Sequence, residues 1–220
     1  MEETMRYKLA VFDMDGTILD TLEDLKNCLN YALRSNGYPE RSLEEARRFV
    51  GNGIRKLVER GVPEGTGTEQ IDKVFEDFKV YYKVHCTDLT VPYDGIPALI
   101  KELRSKGVLT AVVSNKVDFA VQELVERFFN GLFDMAVGDR EGIAKKPAPD
   151  SVFAVLDALH VEKQDAVYIG DSDVDIATAK NAGLDSIIVE WGFRDREFLE
   201  QKGARVFAKT PEDILSILED

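Results

Sequence analysis

Short apolar runs bounded by turn residues recur along the chain at 9–12, 109–113, 135–137, 166–169 and 187–189. Runs of this length without apolar–polar alternation suit strands buried on both faces of a parallel sheet. Between most of them the period lengthens to that of a helix, over 95–106, 119–129, 150–159 and 173–182. Alternation of strand and helix predicts an α/β core, a Rossmann-like, doubly wound parallel sheet. One interval breaks the rhythm. From Leu19 to Val91 no strand-like run appears, and the pattern predicts helices over 22–35, 42–50, 54–60 and 69–86. Leu22, Leu25, Cys28, Leu29 and Leu33 give the first an apolar stripe, Gly37 stops it, and Ser42 with Glu45 fits a capping box for the second. The stretch EGTGTE at 64–69 reads as a loop. The helical interval reads as an insertion, so the expected division is a core of 1–18 and 89–220 and an inserted helical cap domain of 19–88. Its hinges are expected near 17–20 and 88–93.

In open α/β sheets, ligands bind beyond the carboxyl ends of the strands, so the residues after each apolar run carry the candidate chemistry. The first run is followed by Asp13, Met14, Asp15, Gly16 and Thr17, and the second by Ser114, Asn115 and Lys116. Across a loop from the third come Lys145, Lys146 and Pro147; after the fourth come Gly170, Asp171, Ser172, Asp173, Val174 and Asp175. An extended chain puts Asp13 and Asp15 on one side, where their carboxylates crowd. Two such groups resist ionising together unless a cation or hydrogen bonds compensate, and unequal compensation lets one serve as nucleophile and the other as acid. A hard divalent ion such as Mg²⁺ is the expected compensator, because the nearby ligands are oxygens and no histidine stands beside them. Neither acidic turn is an EF-hand. With Gly16 at loop position six, positions one and twelve are Val11 and Leu22, and Ile176 occupies the glycine position of the second cluster.

Ser114 and Asn115 precede a predicted helix, where their ordinary role is N-capping; the free N–H groups of a helix start also suit a phosphate oxygen. Lys146, before Pro147, is biased to an extended backbone that can reach inward, but sequence alone does not choose between it and Lys145. His85 and His160 fall at predicted helix ends and read as surface or packing residues. Trp191, Gly192 and Phe193 follow the fifth run, where they either wall the crevice or simply pack.

Composition narrows the choice of partner. The 220 residues include 41 acidic and 28 basic side chains, a net charge of −13, which argues against a nucleic-acid partner. A small anionic substrate is compatible with it, since charges more than ~8 Å apart are largely screened at physiological salt. No apolar run approaches the ~20 residues of a membrane span, and the N-terminus lacks the pattern of a secretory signal, so a cytoplasmic protein with no membrane partner is expected. Cys28 and Cys86 stand far apart without a CxxC pattern, which argues against a disulfide framework or structural zinc.

With DxDGT at 13–17, Ser114 after the second strand, Lys146 in KPAP and GDxxxD at 170–175, the chain resembles the haloacid dehalogenase superfamily in its large branch of phosphatases. The resemblance spans essentially the full length. VGNG at 50–53 followed by LVERG, SNK at 114–116 and WGF at 191–193 extend it to the phosphoglycolate phosphatases. The resemblance implies that Asp13 attacks phosphorus and that Asp15 protonates the leaving oxygen and then activates water. It implies Mg²⁺ held by Asp13, the backbone carbonyl of Asp15 and Asp171, with Asp175 supporting the metal site. Ser114 and Lys146 would hold phosphoryl oxygens, with Thr17 and Asn115 among the substrate-binding residues, and Lys146 would also restrain Asp13. In the cap, Gly51 permits a close backbone turn, and Asn52, Arg55 or Lys56 is placed to meet a substrate carboxylate.

The implied partner is a small phosphorylated metabolite, foremost 2-phosphoglycolate, acted on by a monomer or homodimer. Inorganic pyrophosphatases and sugar-phosphate phosphatases share the architecture. A phosphomutase fits less well, because GDSDVD stands where that branch tends to begin Glu-Asp and Thr17 where it favours valine. Dehalogenases and phosphonatases lack the second acid, which is present here as Asp15. A non-catalytic phosphate-binding module is the reading from another class, and every catalytic position of the resemblance is filled.

Overall fold

The computed structural model describes residues 5–219. In chain order the elements are β1 (Leu9–Phe12), β2 (Leu19–Asp20), α1 (Leu22–Ser35), α2 (Leu43–Phe49), α3 (Ile54–Gly61), α4 (Thr68–His85), β3 (Val91–Pro92), α5 (Ile96–Ser105), β4 (Leu109–Val117), α6 (Asp118–Phe129), β5 (Met135–Asp139), α7 (Asp150–Leu159), β6 (Ala166–Gly170), α8 (Asp173–Ala182), β7 (Asp185–Val189), α9 (Arg196–Gln201), β8 (Phe207–Ala208) and α10 (Pro211–Glu219). Contacts divide the chain into two compact units, 1–19 with 92–220, and 20–91. The breaks expected from sequence, at 18/19 and 88/89, lie one and three residues earlier.

The first unit is the α/β fold. Its six strands run in the order β5-β4-β1-β6-β7-β8, and their pairings are parallel. Every residue of β1 is fully buried because the strand is covered on both faces. Ala10 and Phe12 join one apolar cluster with Ile96, Leu99, Ile100 and Leu103 of α5, Val121 and Leu124 of α6, and Ile214 and Leu218 of α10. Leu9 and Val11 join another with Val152, Val155 and Leu156 of α7 and Ala179 and Ala182 of α8. Each fully buried aliphatic or aromatic side chain in these layers contributes about 1.5–3 kcal/mol. Leu9 pairs with Leu109 on one side and Ala166 on the other, and Phe12 with Val112 and Ile169. This register ends β1 and β6 nearly level and runs the last residues of β4, from Ser114 to Val117, past them at the point where the winding reverses, the ligand-binding crevice of such sheets.

The second unit is helical. The α1 stripe of Leu25, Cys28, Leu29, Ala32 and Leu33 is buried, and the stacked rings of Tyr31 and Tyr81, 3.9 Å apart, join α1 to α4. The Ser42–Glu45 capping box forms at α2. Asp24, 2% exposed, accepts hydrogen bonds from the Leu89 N–H and from the Thr90 N–H and hydroxyl at 2.7–3.1 Å, anchoring the segment that leaves the unit. Helix α4 begins at Thr68, so the last two residues of the expected EGTGTE loop are helical. Among the described residues no helix is long and apolar enough to cross a membrane.

Candidate active site

The site is built at the end of β1. There the Met14 carbonyl accepts the N–H groups of Thr17, Ile18 and Leu19, forming a tight turn from which Asp13 and Asp15 project. Gly16 holds φ at +84° in this turn, and a Cβ there would lie 2.5 Å from Asp171 Oδ2, so only glycine fits. The Asp13 N–H is fixed to the Ile169 carbonyl at 2.8 Å, tying the turn to β6.

Asp13, Asp171 and Asp175 are all buried, and each offers an oxygen within 4.8 Å of the others. Lys146 Nζ lies 2.8 Å from Asp13 Oδ1 and 2.8 Å from Asp175 Oδ1, and its side chain is 4% exposed. Three carboxylates against this one ammonium leave two negative charges in excess, and the positive charge of Arg194 pulls against them at Asp171. Burial, and then the Asp175 charge, push the Asp13 carboxyl up to about 7 despite the opposing pull of Lys146. Asp171 is held well above the usual carboxylate range by burial and then by Asp175 and Asp13. Burial disfavours the Lys146 charge, but Asp13 and Asp175 outweigh it and keep the ammonium well above its ordinary value. A divalent cation matches this excess, and the all-oxygen donor set without His or Cys suits a hard ion such as Mg²⁺.

The acids are not equivalent. Asp175 Oδ2 accepts the Asp171 and Ser172 N–H groups and the Ser172 hydroxyl, while Oδ1 faces Lys146 and the Tyr168 hydroxyl. Both of its oxygens are engaged by protein donors, so Asp175 holds the loop and Lys146 in place. Asp171 Oδ2 accepts the Phe193 N–H at 2.7 Å, and the Thr17 hydroxyl lies 3.4 Å from Oδ1. Gly192 is required beside it, since a Cβ would collide with Asp171. The Trp191 indole donates to the Thr17 carbonyl at 3.1 Å, so WGF does wall the acidic turn.

Sequence left open the choice between two lysines, and burial makes it: Lys146 enters the cluster, while Lys145, half exposed, pairs with Asp139 at 2.6 Å. The N-capping role considered for Ser114 and Asn115 is not what forms. Strand β4 runs on to Val117, which occupies the N-cap of α6 without a side-chain cap, so both residues sit in the strand. Ser114 is buried in the strand, 6% exposed. The Asn115 amide pairs with the Lys146 main chain, donating to its carbonyl at 3.0 Å and accepting its N–H at 2.8 Å. It thereby positions Lys146, where sequence had placed it among the substrate contacts. Gly51, Asn52 and Arg55 belong to the helical unit. Arg55 is engaged by Glu59 at 3.0 Å and Asp72 at 2.6 Å, and Lys56 by Glu59 at 2.6 Å.

Three contacts of the site were given no role by sequence. Lys116, which follows Ser114 and Asn115 in SNK, reaches Asp15 Oδ1 at 2.7 Å. Tyr168 sat within an apolar run, yet its hydroxyl accepts from Lys146 at 3.0 Å, and burial raises its pKa well above the ordinary value. The Phe193 backbone N–H carries no side-chain signal at all.

The first strand of the parallel sheet thus ends in an aspartate pair, with a lysine and a second acidic loop beside it, at the crevice where such sheets bind ligands. The chain belongs to the haloacid dehalogenase-like hydrolase family, whose profile matches residues 10–189. It is 32% identical over 187 residues to a phosphoglycolate phosphatase of Aquifex aeolicus, covering 84% of this chain and 86% of that one. It is 26% identical over 217 residues to an N-acetylmuramic acid 6-phosphate phosphatase of Pseudomonas aeruginosa, covering 98% and 96%. A crystal structure from Lactobacillus delbrueckii subsp. bulgaricus, provisionally assigned as a phosphoglycolate phosphatase, superposes with a TM-score of 0.93 at 42% identity, covering 97% of this chain and 99% of that one.

Proposed function

We propose that the protein is a Mg²⁺-dependent phosphatase of small phosphate monoesters, 2-phosphoglycolate foremost, working through an aspartyl-phosphate on Asp13. The observation that carries this reading is the separation of the two aspartates into different surroundings. Asp13 is buried against Lys146 and the acidic cluster, while Asp15 is paired with Lys116 and keeps a side chain 19% exposed. Asp13 attacks phosphorus as the bond to the leaving oxygen breaks, and Asp15 gives that oxygen its proton. Water then loses a proton to Asp15 and displaces the phosphoryl group from Asp13. Lys146 and Ser114 hold the phosphoryl oxygens in line, which is most of what phosphoryl transfer asks of a protein. Asp13, Asp171 and the Asp15 backbone carbonyl would hold Mg²⁺, which when bound neutralises phosphoryl charge.

Selection of the leaving group is assigned to the turn of the helical unit at Gly51 and Asn52. Asn52 holds φ at +64° between two glycines, a left-handed conformation that asparagine adopts more readily than other side chains and that lets the turn bend sharply. Arg55, placed by sequence to meet a substrate carboxylate, is paired with Glu59 and Asp72, which such a carboxylate would have to displace. The test is Mg²⁺-dependent phosphate release across 2-phosphoglycolate, pyrophosphate, sugar phosphates including N-acetylmuramic acid 6-phosphate, and nucleotides, ranked by kcat/KM. A lead of ~100-fold for 2-phosphoglycolate, nearly 3 kcal/mol in the transition state, is expected. A lead for another ester overturns the substrate, and no release from any overturns the phosphatase.

A further inference from the structure

Asp15 carries the proton in the reaction proposed above, and the structure shows what holds it. Lys116 Nζ lies 2.7 Å from Asp15 Oδ1, with the lysine side chain 2% exposed. Lys116 stands on β4 two residues beyond Ser114, and its N–H donates to Ser114 Oγ at 3.3 Å. One strand end thus supplies both a phosphoryl contact and an anchor for the acid. The arrangement repeats that at Asp13: each aspartate of the pair has its own buried ammonium, Lys146 for Asp13 and Lys116 for Asp15.

We infer that Lys116 is the positioning residue of Asp15, fixing its carboxyl group where it meets the bridging oxygen of the substrate; the inference rests on the phosphatase reading. Anchoring matters because a catalytic group misplaced by about 1 Å can lose ~10² in rate. In the first half-reaction the bond from phosphorus to the bridging oxygen breaks, the Asp13–phosphorus bond forms, and the proton passes from Asp15 to the departing oxygen. In the second, a water gives its proton to Asp15 while its oxygen bonds to phosphorus and the Asp13–phosphorus bond breaks. Only the first depends on the leaving group.

Lys116→Met therefore separates positioning from bulk structure when kcat/KM is measured on an alkyl phosphate and on p-nitrophenyl phosphate, whose phenolate departs without a proton. The alkyl ester should lose ~100-fold more than the aryl ester, within the range of general acid catalysis. Phosphoenzyme should accumulate during turnover of the aryl ester, because water activation also runs through Asp15. In an Asp15→Asn background the same substitution should cost no more than about 3-fold further, since the two act as one unit. Lys116→Arg, which keeps the charge, should restore part of the alkyl rate. Equal losses on the two esters, or a full additive loss in the Asp15→Asn background, would overturn the inference. If Lys116→Met loses its native circular dichroism, Lys116→Gln is put through the same comparisons. A wild-type protein that hydrolyses neither ester overturns the phosphatase reading itself, whereas activity on both with equal losses removes only the role of Lys116.

Discussion

Replacing Asp13 by asparagine should stabilise the metal-free protein while abolishing turnover. Burial and the Asp175 charge raise the native Asp13 carboxyl to about 7 from an ordinary 3.8. The native carboxyl therefore binds its proton more tightly than the unfolded chain does, and native stability falls as pH rises from about 4 to about 7, then levels off. That interval of about three pH units, at 1.36 kcal/mol each, sets the loss near 4 kcal/mol. That figure already includes the pull of Lys146, which retains Asp175, and it is an upper bound because water entering the metal-free cluster screens the charges, so the expected gain of asparagine at pH 7.5 in EDTA is about 1–2 kcal/mol. At about 2–4 °C per kcal/mol for a chain of this size, Tm should rise by about 2–8 °C. At pH 5.5 the gain should shrink, because wild-type Asp13 is then mostly protonated. Saturating Mg²⁺ should reverse the order, since a ligand at a hundred times its Kd adds about 2.7 kcal/mol to the form that binds it. Thermal scans of both proteins at the two pH values, in EDTA and in Mg²⁺, check each step. If Asp13→Asn melts below wild type at pH 7.5 in EDTA, the electrostatic account of the cluster is refuted.

Two other perturbations follow from the geometry. Gly192→Ala drives a methyl group into Asp171 and displaces the Phe193 N–H from its carboxylate, so isothermal titration should show Mg²⁺ affinity falling by 10-fold to 100-fold. Unchanged affinity would mean that Asp171 does not hold the metal. Asp24→Ala removes the acceptor of the Leu89 and Thr90 N–H groups inside the helical unit, at a cost of about 3 kcal/mol. Limited proteolysis should then cut first near residues 88–92, and an unchanged cleavage pattern would contradict the anchoring role.

Much of the core was legible because its strands are buried on both faces and leave unbroken apolar runs. The two-residue strands β2, β3 and β8 left no such trace, since so short a stretch has no period to read. Ser114 and Asn115 looked like helix caps because polar residues before a helical period usually are; the strand extends past them instead, and a main-chain pairing with Lys146 uses the amide. The paired aspartates and the acidic loop could be read because each follows a strand end in sequence, whereas Lys146 stood apart from Lys145 only through the KPAP resemblance. What joins Lys116 to Asp15, or the Phe193 N–H to Asp171, is proximity between segments far apart in the chain, and one sequence carries no record of it.

The central claim is a covalent phosphoryl intermediate on Asp13. It is tested most directly by quenching the enzyme in acid during turnover of p-nitrophenyl phosphate with Mg²⁺, reducing acyl phosphates with borohydride, and sequencing the peptide around residue 13 by mass spectrometry. The account predicts homoserine at position 13, enriched in Lys116→Met and absent from Asp13→Asn. Reduction at Asp15, or steady turnover by Asp13→Asn, would contradict it.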